Sequence, residues 1–247
     1  MIPKVIHWTW VGDEKNISDF EKRCIKTFSI NNNYEIISHI HDKKYLNHSW
    51  IQSCIDKNQW AFANDLYRLF ILYEYGGIYF DTDNYCLKPL EDKLLDTDFL
   101  IGYEIDNLTL GCGFIGVPPK SPYIKLLIRW FDLRVFTTDY KEYEVPLNCV
   151  DGKEVRIGGS FTAPKITSFT LMPFIQKGLI NPYPNEYFLA GSGETENTYI
   201  RHLYAGSWCD NDTRKKYNKD EYKEEMIKWM NNQENKKKFN LEAYGFK

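Results

Sequence analysis

Runs of apolar residues at strand and helix spacing divide the chain into short strands alternating with helices. Lys4 to Val11, rich in Val, Ile, Thr and Trp between Pro3 and Gly12, has the composition of a first, centrally placed strand running into a loop. Ser18 suits the cap of a helix whose Phe20, Cys24, Ile25 and Phe28 recur at helical spacing, ending near Asn31-Asn32-Asn33. Tyr34 to Ile40 reads as a second strand and Trp50 to Asp56 as a short helix. Trp60 to Tyr75 reads as a longer helix, with Leu66, Leu69, Phe70 and Tyr73 on its core face. Ala61, Asp65, Arg68 and Leu72 form a separate stripe about 120° round that helix, so Asp65 and Arg68 can pair and still face a cleft.

Gly76-Gly77 predicts the helix stop, with glycine in the left-handed conformation, and Ile78-Tyr79-Phe80 a short buried strand. Asp81-Thr82-Asp83 follows. At strand periodicity the two carboxylates project to the same side, roughly 6–7 Å apart, where one hard cation can sit between them directly or through water. The spacing alone equally suits a pair of turn or capping aspartates. Asn84 to Leu90 is a further extended piece ended by proline, and Phe99 to Tyr103 and Gly113 to Val117 are strands. Ser121 or Pro122 opens a helix carrying Tyr123, Leu126, Leu127, Trp130, Phe131 and Arg134. Residues 137–160 read as an irregular insertion suited to an acceptor lid. Ala163 to Lys177 is helical, with Ile166, Phe169, Thr170 and Pro173 on one side and Pro173 expected to kink or end it. Tyr199 to Trp208 reads as a late strand and tight turn holding His202, Ser207 and Trp208. Asp220 to Asn231 forms an amphipathic helix through Tyr222, Met226, Trp229 and Met230, packing on the domain, and Lys236-Lys237-Lys238 a solvated tail. Without repeats or Pro/Gly/Ser-rich linkers, the pattern predicts one α/β domain over 1–247, with 219–247 as C-terminal helix and tail.

Composition narrows the function classes. A 43% hydrophobic fraction with 16% aromatic residues fits a folded chain with ring-lined pockets, and a net charge of −3 gives no electrostatic footprint for nucleic acid. The six cysteines, Cys24, Cys54, Cys86, Cys112, Cys149 and Cys209, have no Cys-x-x-Cys spacing and lie in apolar stretches, so they read as buried thiols rather than a zinc framework or disulfides. The start is strand-like rather than a signal peptide, and no apolar run approaches the ~18 residues of a membrane helix. The expected location is cytoplasmic, with a peripheral place at the membrane left open. On the first strand His7, Trp8 and Trp10 stand where a structural strand would more often carry Val or Ile, and an aromatic at a strand's C-terminal end is well placed for ligand in an open α/β sheet.

Three ordered segments resemble the glycosyltransferase family 32 enzymes, which include fungal initiating mannosyltransferases and bacterial capsule enzymes, and are distantly similar to clostridial toxin glucosyltransferase domains. They are Ile2 to Gly12, Ala63-Asn64-Asp65-Leu66-Tyr67-Arg68 through Gly76 to Asp83, and His202 with Gly206-Ser207-Trp208. The family's Thr-Gly-Pro signature appears as Thr162-Ala163-Pro164. The resemblance spans most of 1–208 and is thin from about 104 to 160. It implies a GT-A type fold, a central mixed sheet flanked by helices, and retaining transfer of a hexose from a nucleotide sugar to a hydroxyl acceptor, with Mn²⁺ or Mg²⁺. By position it implies that Trp10 stacks on the base, that Asp65 and Arg68 hold the donor sugar, and that Asp81 and Asp83 hold ribose and metal. His202, Ser207 and Trp208 fall in the segment that touches metal and diphosphate in related transferases. The candidates are therefore Asp65, Arg68 and Asp83 for catalysis, and Asp83, Asp81 and His202 for metal. Donor binding adds His7, Trp8, Trp10, Ser207 and Trp208, with packing the favoured reading for Trp8.

The chemistry agrees. Cleaving a sugar–diphosphate bond builds positive charge on the sugar and negative charge on the leaving group, so the site needs a cation and hydrogen-bond donors. Two alternatives stand beside it. An apolar strand ending in Asp-Thr-Asp also resembles the nucleophile loop of haloacid-dehalogenase-like phosphohydrolases, with Asp81 attacking phosphorus. A non-catalytic sugar-nucleotide-binding module is the other. The donor, UDP- or GDP-linked, and the acceptor, a glycan, lipid-linked glycan or protein, are left open.

Overall fold

In chain order the strands of the computed structural model are β1 (Val5–Trp10), β2 (Glu35–Ile40), β3 (Gly77–Phe80), β4 (Asn84–Cys86), β5 (Leu100–Tyr103), β6 (Leu110–Val117), β7 (Arg134–Thr137), β8 (Val155–Gly158) and β9 (Ile200–His202). The helices are α1 (Asp19–Asn31), α2 (Lys43–Leu46), α3 (Ser49–Asp56), α4 (Trp60–Tyr75), α5 (Pro122–Phe131), α6 (Ala163–Gln176) and α7 (Asn185–Phe188). The structure describes residues 1–104, 109–132, 134–137, 155–158, 162–188, 193–206, 221 and 224–234. They divide into two compact units, Met1–His202 and Leu203–Lys247. In the second, 224–234 is helical, with Met226 and Met230 buried.

The first unit is built on a five-stranded mixed sheet in the order β2-β1-β3-β6-β5. β1 has parallel neighbours on both sides, with Val5 to Trp10 opposite Glu35 to Ile40 and His7 opposite Tyr79, while β6 runs antiparallel to β3 and β5. Strand periodicity sorts the side chains of β3 into two layers. Tyr79 joins an apolar cluster with Leu66, Ile71, Ile115 and Leu127, whereas Ile78 and Phe80 join a second cluster with Ile6, Phe28 and Phe114. On that second face α1 lays Phe28 flat on Phe80, ring centroids 3.7 Å apart. The expected helix–sheet–helix architecture follows.

Several local expectations are corrected. α4 is buried on more than one stripe: Ala63, Tyr67, Arg68, Ile71 and Leu72 are buried, while Phe70 and Tyr73 are half-buried. Arg134 begins β7 rather than ending α5, and β8, parallel to β7, lies inside the stretch read as irregular; residues 138–154 fall outside the described residues. α6 continues through Pro173, and Phe169 is 74% exposed while Ile166 is buried. Phe169 is the residue whose carbonyl loses its donor to Pro173, so water can satisfy it and the helix survives. Cys24, Cys54, Cys86 and Cys112 are buried free thiols, as expected; Cys149 and Cys209 lie outside the described residues. No described helix is long and apolar enough to cross a membrane.

Candidate active site

Asp81 and Asp83 do not lie on a strand. β3 ends at Phe80, and Asp81-Thr82-Asp83 forms a turn in which Asn84 N–H donates to the Asp81 carbonyl (2.9 Å) while Asp81 N–H donates to the Gly113 carbonyl of β6 (2.8 Å). The strand-periodicity argument for the pair is therefore corrected: a turn, not a pleat, brings the carboxylates together. The turn leads into β4, which pairs antiparallel with β9 so that Asn84 faces His202. That pairing sets His202 Nε2 3.2 Å from Asp83 Oδ1. One ligand atom each from Asp81, Asp83 and His202 lies within 4.8 Å of the others. Two carboxylate oxygens and an imidazole nitrogen are a donor set that suits a Mn²⁺-like divalent ion. Burial alone would lower the His202 pKa, but the neighbouring acids, Asp83 above all, raise it to about 9.

Arg68 joins this turn to α4. It is buried, and its Nη1 donates to the Cys112 carbonyl (2.8 Å) and lies 3.1 Å from Asp81 Oδ1. Its Nη2 pairs with Asp65 Oδ1 one helical turn back, and its guanidinium rests 5.0 Å from the Tyr79 ring centroid. Burial works against the Arg68 charge, and Asp81, Tyr79 and Asp65 more than restore it. Asp65 shows the reverse balance: burial raises its pKa to about 7 although Arg68 opposes the shift, because one guanidinium serves two carboxylates. A void of about 10 Å³, room for one water, lies against Asp65 and Arg68 and is walled by Cys112, Leu127, Ala163 and Thr167. Thr162-Ala163-Pro164 forms the start of α6, so Ala163 reaches this void from the helix N-terminus.

The other candidates separate. Trp10 is half-buried at the end of β1, its indole N–H on the Asp13 carbonyl (3.0 Å). Trp8 is 9% exposed within the second cluster, as packing predicts. His7 is wholly buried, with Nε2 3.0 Å from the Gly76 carbonyl and Nδ1 3.0 Å from His39 Nε2. A carbonyl only accepts, so Nε2 carries the proton and Nδ1 accepts from His39. In the structure His7 ties the helix stop to the sheet and Trp8 packs in the core. Ser207 and Trp208 lie outside the described residues. Sequence reasoning missed Tyr79 as a site residue. Its hydroxyl donates to Asp81 Oδ1 at 2.6 Å, a contact that appears only once β3 and the turn after it are folded.

Residues 14–108 match the family described as the glycosyltransferase sugar-binding region containing the DXD motif. That stretch includes Asp65, Arg68, Asp81 and Asp83. Two mannosyltransferases of Schizosaccharomyces pombe are similar in sequence. Inositol phosphoceramide mannosyltransferase 1 is 29% identical over 153 residues, 55% of this chain and 46% of that protein. Inositol phosphoceramide mannosyltransferase 2 is 28% identical over 136 residues, 52% and 38% respectively. The chain thus spans less than half the length of these relatives. Among solved structures, PaToxG glycosyltransferase matches over 72% of each chain with a TM-score of 0.50 and 19% identity, a likeness of fold. The fold is of GT-A type, and the Asp-x-Asp turn lies within the matched sugar-binding region. This match and the two relatives agree with the resemblance of the three ordered segments to family 32.

Proposed function

We propose that the protein is a metal-dependent, retaining glycosyltransferase that moves a hexose from a nucleotide sugar to a hydroxyl acceptor. The observation that carries this reading is the convergence of Asp81, Asp83 and His202 beside the buried Asp65–Arg68 pair. In this reading Asp83 and His202 hold Mn²⁺ or Mg²⁺ directly, and Asp81, already bound by Arg68 and Tyr79, contacts the ribose or a metal-bound water. When bound, the cation neutralises charge on the departing diphosphate. Asp65 orients sugar hydroxyls and stabilises positive charge near the anomeric carbon, while Arg68 fixes Asp65 and Asp81 in place. Trp10 offers the base a ring at the end of β1. Same-face transfer without an enzyme-bound sugar belongs to this proposal, and a trapped glycosyl adduct on Asp65 would overturn that part.

The relatives' names make a mannose nucleotide and inositol phosphoceramide the first donor and acceptor to try, with UDP-hexoses and glycans next. The test is nucleotide release across a donor panel with and without Mn²⁺. One donor should be hydrolysed slowly in the presence of the ion, and Asp83→Asn should abolish this. Folded protein that turns over no donor with any acceptor, yet binds one tightly by calorimetry, would favour the binding-module alternative. The phosphohydrolase reading is disfavoured because Asp81 Oδ1 already accepts from Tyr79 and lies against Arg68, which holds the carboxylate rather than leaving it poised for attack.

A further inference from the structure

Behind Asp81 a line of polar side chains crosses the sheet interior to β1, and its hydrogen bonds can point in only one direction. Thr9 is wholly buried on β1, and its Oγ1 lies 2.6 Å from Asn64 Oδ1 on α4. Asn64 Nδ2 lies 3.2 Å from the Tyr79 hydroxyl, which lies 2.6 Å from Asp81 Oδ1. A carboxylate only accepts, so the single phenolic proton goes to Asp81. The phenol oxygen must then receive, and the Asn64 amide supplies an N–H. That orientation turns Asn64 Oδ1 towards Thr9, whose one hydroxyl proton fills it; the 3.4 Å approach of Thr9 Oγ1 to the phenol is then a contact only.

We infer that Thr9 and Asn64 are positioning residues for Asp81, acting through Tyr79 to decide which carboxylate oxygen is presented to ligand. Oδ1 is occupied, by the phenol and by Arg68 Nη1 at 3.1 Å. Among the described residues, Oδ2 has a long 3.4 Å contact with Arg68 Nη1, and it faces Gly113, where a Cβ would come within 3.1 Å. The missing side chain at Gly113 keeps that side clear. Oδ2 is therefore the oxygen left for ribose or cation. Without the Thr9 hydroxyl the Asn64 amide can turn over, the phenol loses its donor and can rotate, and Asp81 loses the constraint that keeps Oδ1 inward. The relay stands on hydrogen bonds alone; its consequence for donor binding rests on the transfer reading.

Thr9 and Asp81 share no direct hydrogen bond in this line, so any coupling between them must pass through it. The experiment is a double-mutant cycle of Thr9→Val and Asp81→Asn, read as urea unfolding equilibria of the full chain. The two changes should be non-additive by about fivefold or more in the unfolding constant, and additivity within about twofold overturns the relay. If Thr9→Val fails to fold, Asn64→Ala, at a half-buried position, takes its place in the cycle with the same two outcomes. On the active enzyme, Thr9→Val should lower donor turnover about tenfold and Thr9→Ser should restore it; no difference between Val and Ser overturns the positioning role. A wild-type protein that turns over no donor would count against the transfer reading, while the cycle still decides the relay.

Discussion

Asp81 and Asp83 share a motif but are held by different partners, and this divides their expected roles. Asp81 accepts from a phenol and lies against a buried guanidinium, whereas Asp83 lies 3.2 Å from the imidazole of His202. In the proposed function a cation would take the place of the His202–Asp83 pairing and would leave the Arg68–Asp81 pairing intact. Asp83→Asn should therefore weaken Mn²⁺ more than Asp81→Asn, by about tenfold in Kd, measured from the free-Mn²⁺ electron paramagnetic resonance signal. The opposite order would reverse the division. Of the residues involved, Asp65, Arg68, Asp81, Asp83 and His202 were legible in the sequence, because acids, a base and an imidazole next to glycines or strand ends are chemically conspicuous. Thr9, Asn64 and Tyr79 were not. A Thr on a strand and a Tyr in an aromatic run are ordinary core residues until the strands are side by side, and only tertiary pairing shows that hydroxyl and amide groups from β1, α4 and β3 form a line ending at one carboxylate.

Among the elements, the α4–β3 junction places the acids, and its glycines are needed for different reasons. Gly76 has φ 64° and ψ −156°, a positive-φ extended conformation confined in practice to glycine rather than the left-handed helical one expected. A Cβ there would come within 2.4 Å of the Pro119 nitrogen, so the loop after β6 closes directly on this backbone. Gly76→Ala combines a strained dihedral with a backbone clash and should cost about 3 kcal/mol or more in urea unfolding. The boundaries of α4 were readable because its stop is a local property of two glycines. Pro173 was expected to kink or end the helix, and it does not end it, because whether a helix ends at proline depends on whether the deprived carbonyl can reach water. Pro173 is exposed. Pro173→Ala should therefore stabilise the protein, by about 1–3 kcal/mol, as an added hydrogen bond closes and the ring clash is removed. Unchanged or lower stability by thermal denaturation would show that the helix is bent around this residue for another reason.

At the scale of the whole molecule, stability in acid is expected to depend on a buried histidine, His7, paired with the half-buried His39 between the helix stop and the edge of the sheet. His7 donates to the Gly76 carbonyl and accepts from His39, with the Tyr75 ring beside both. Burial lowers the His7 pKa to about 4, with the neighbouring His39 acting in the same direction and the Gly76 carbonyl opposing. His39 is lowered as well, by burial against the pull of Asp42 and Glu74. The unfolded chain takes up a proton at His7 near pH 6.5, and the folded chain only near pH 4. The contribution is thus complete above about pH 6.5 and is lost progressively as pH falls towards 4, at about 1.4 kcal/mol for each unit of depression. Asp65 has the opposite sign, since its raised pKa favours the folded state below about pH 7, and the two effects overlap in a simple pH titration of stability. The comparison that isolates the pair is wild type against His7→Gln, because the glutamine amide keeps an N–H for the Gly76 carbonyl and does not titrate. On acidification from pH 6.5 to 4 the wild type should lose stability relative to His7→Gln, by a few kcal/mol at most, in matched urea unfolding curves. Parallel pH profiles for the two proteins would show that the buried imidazole is not what acid attacks.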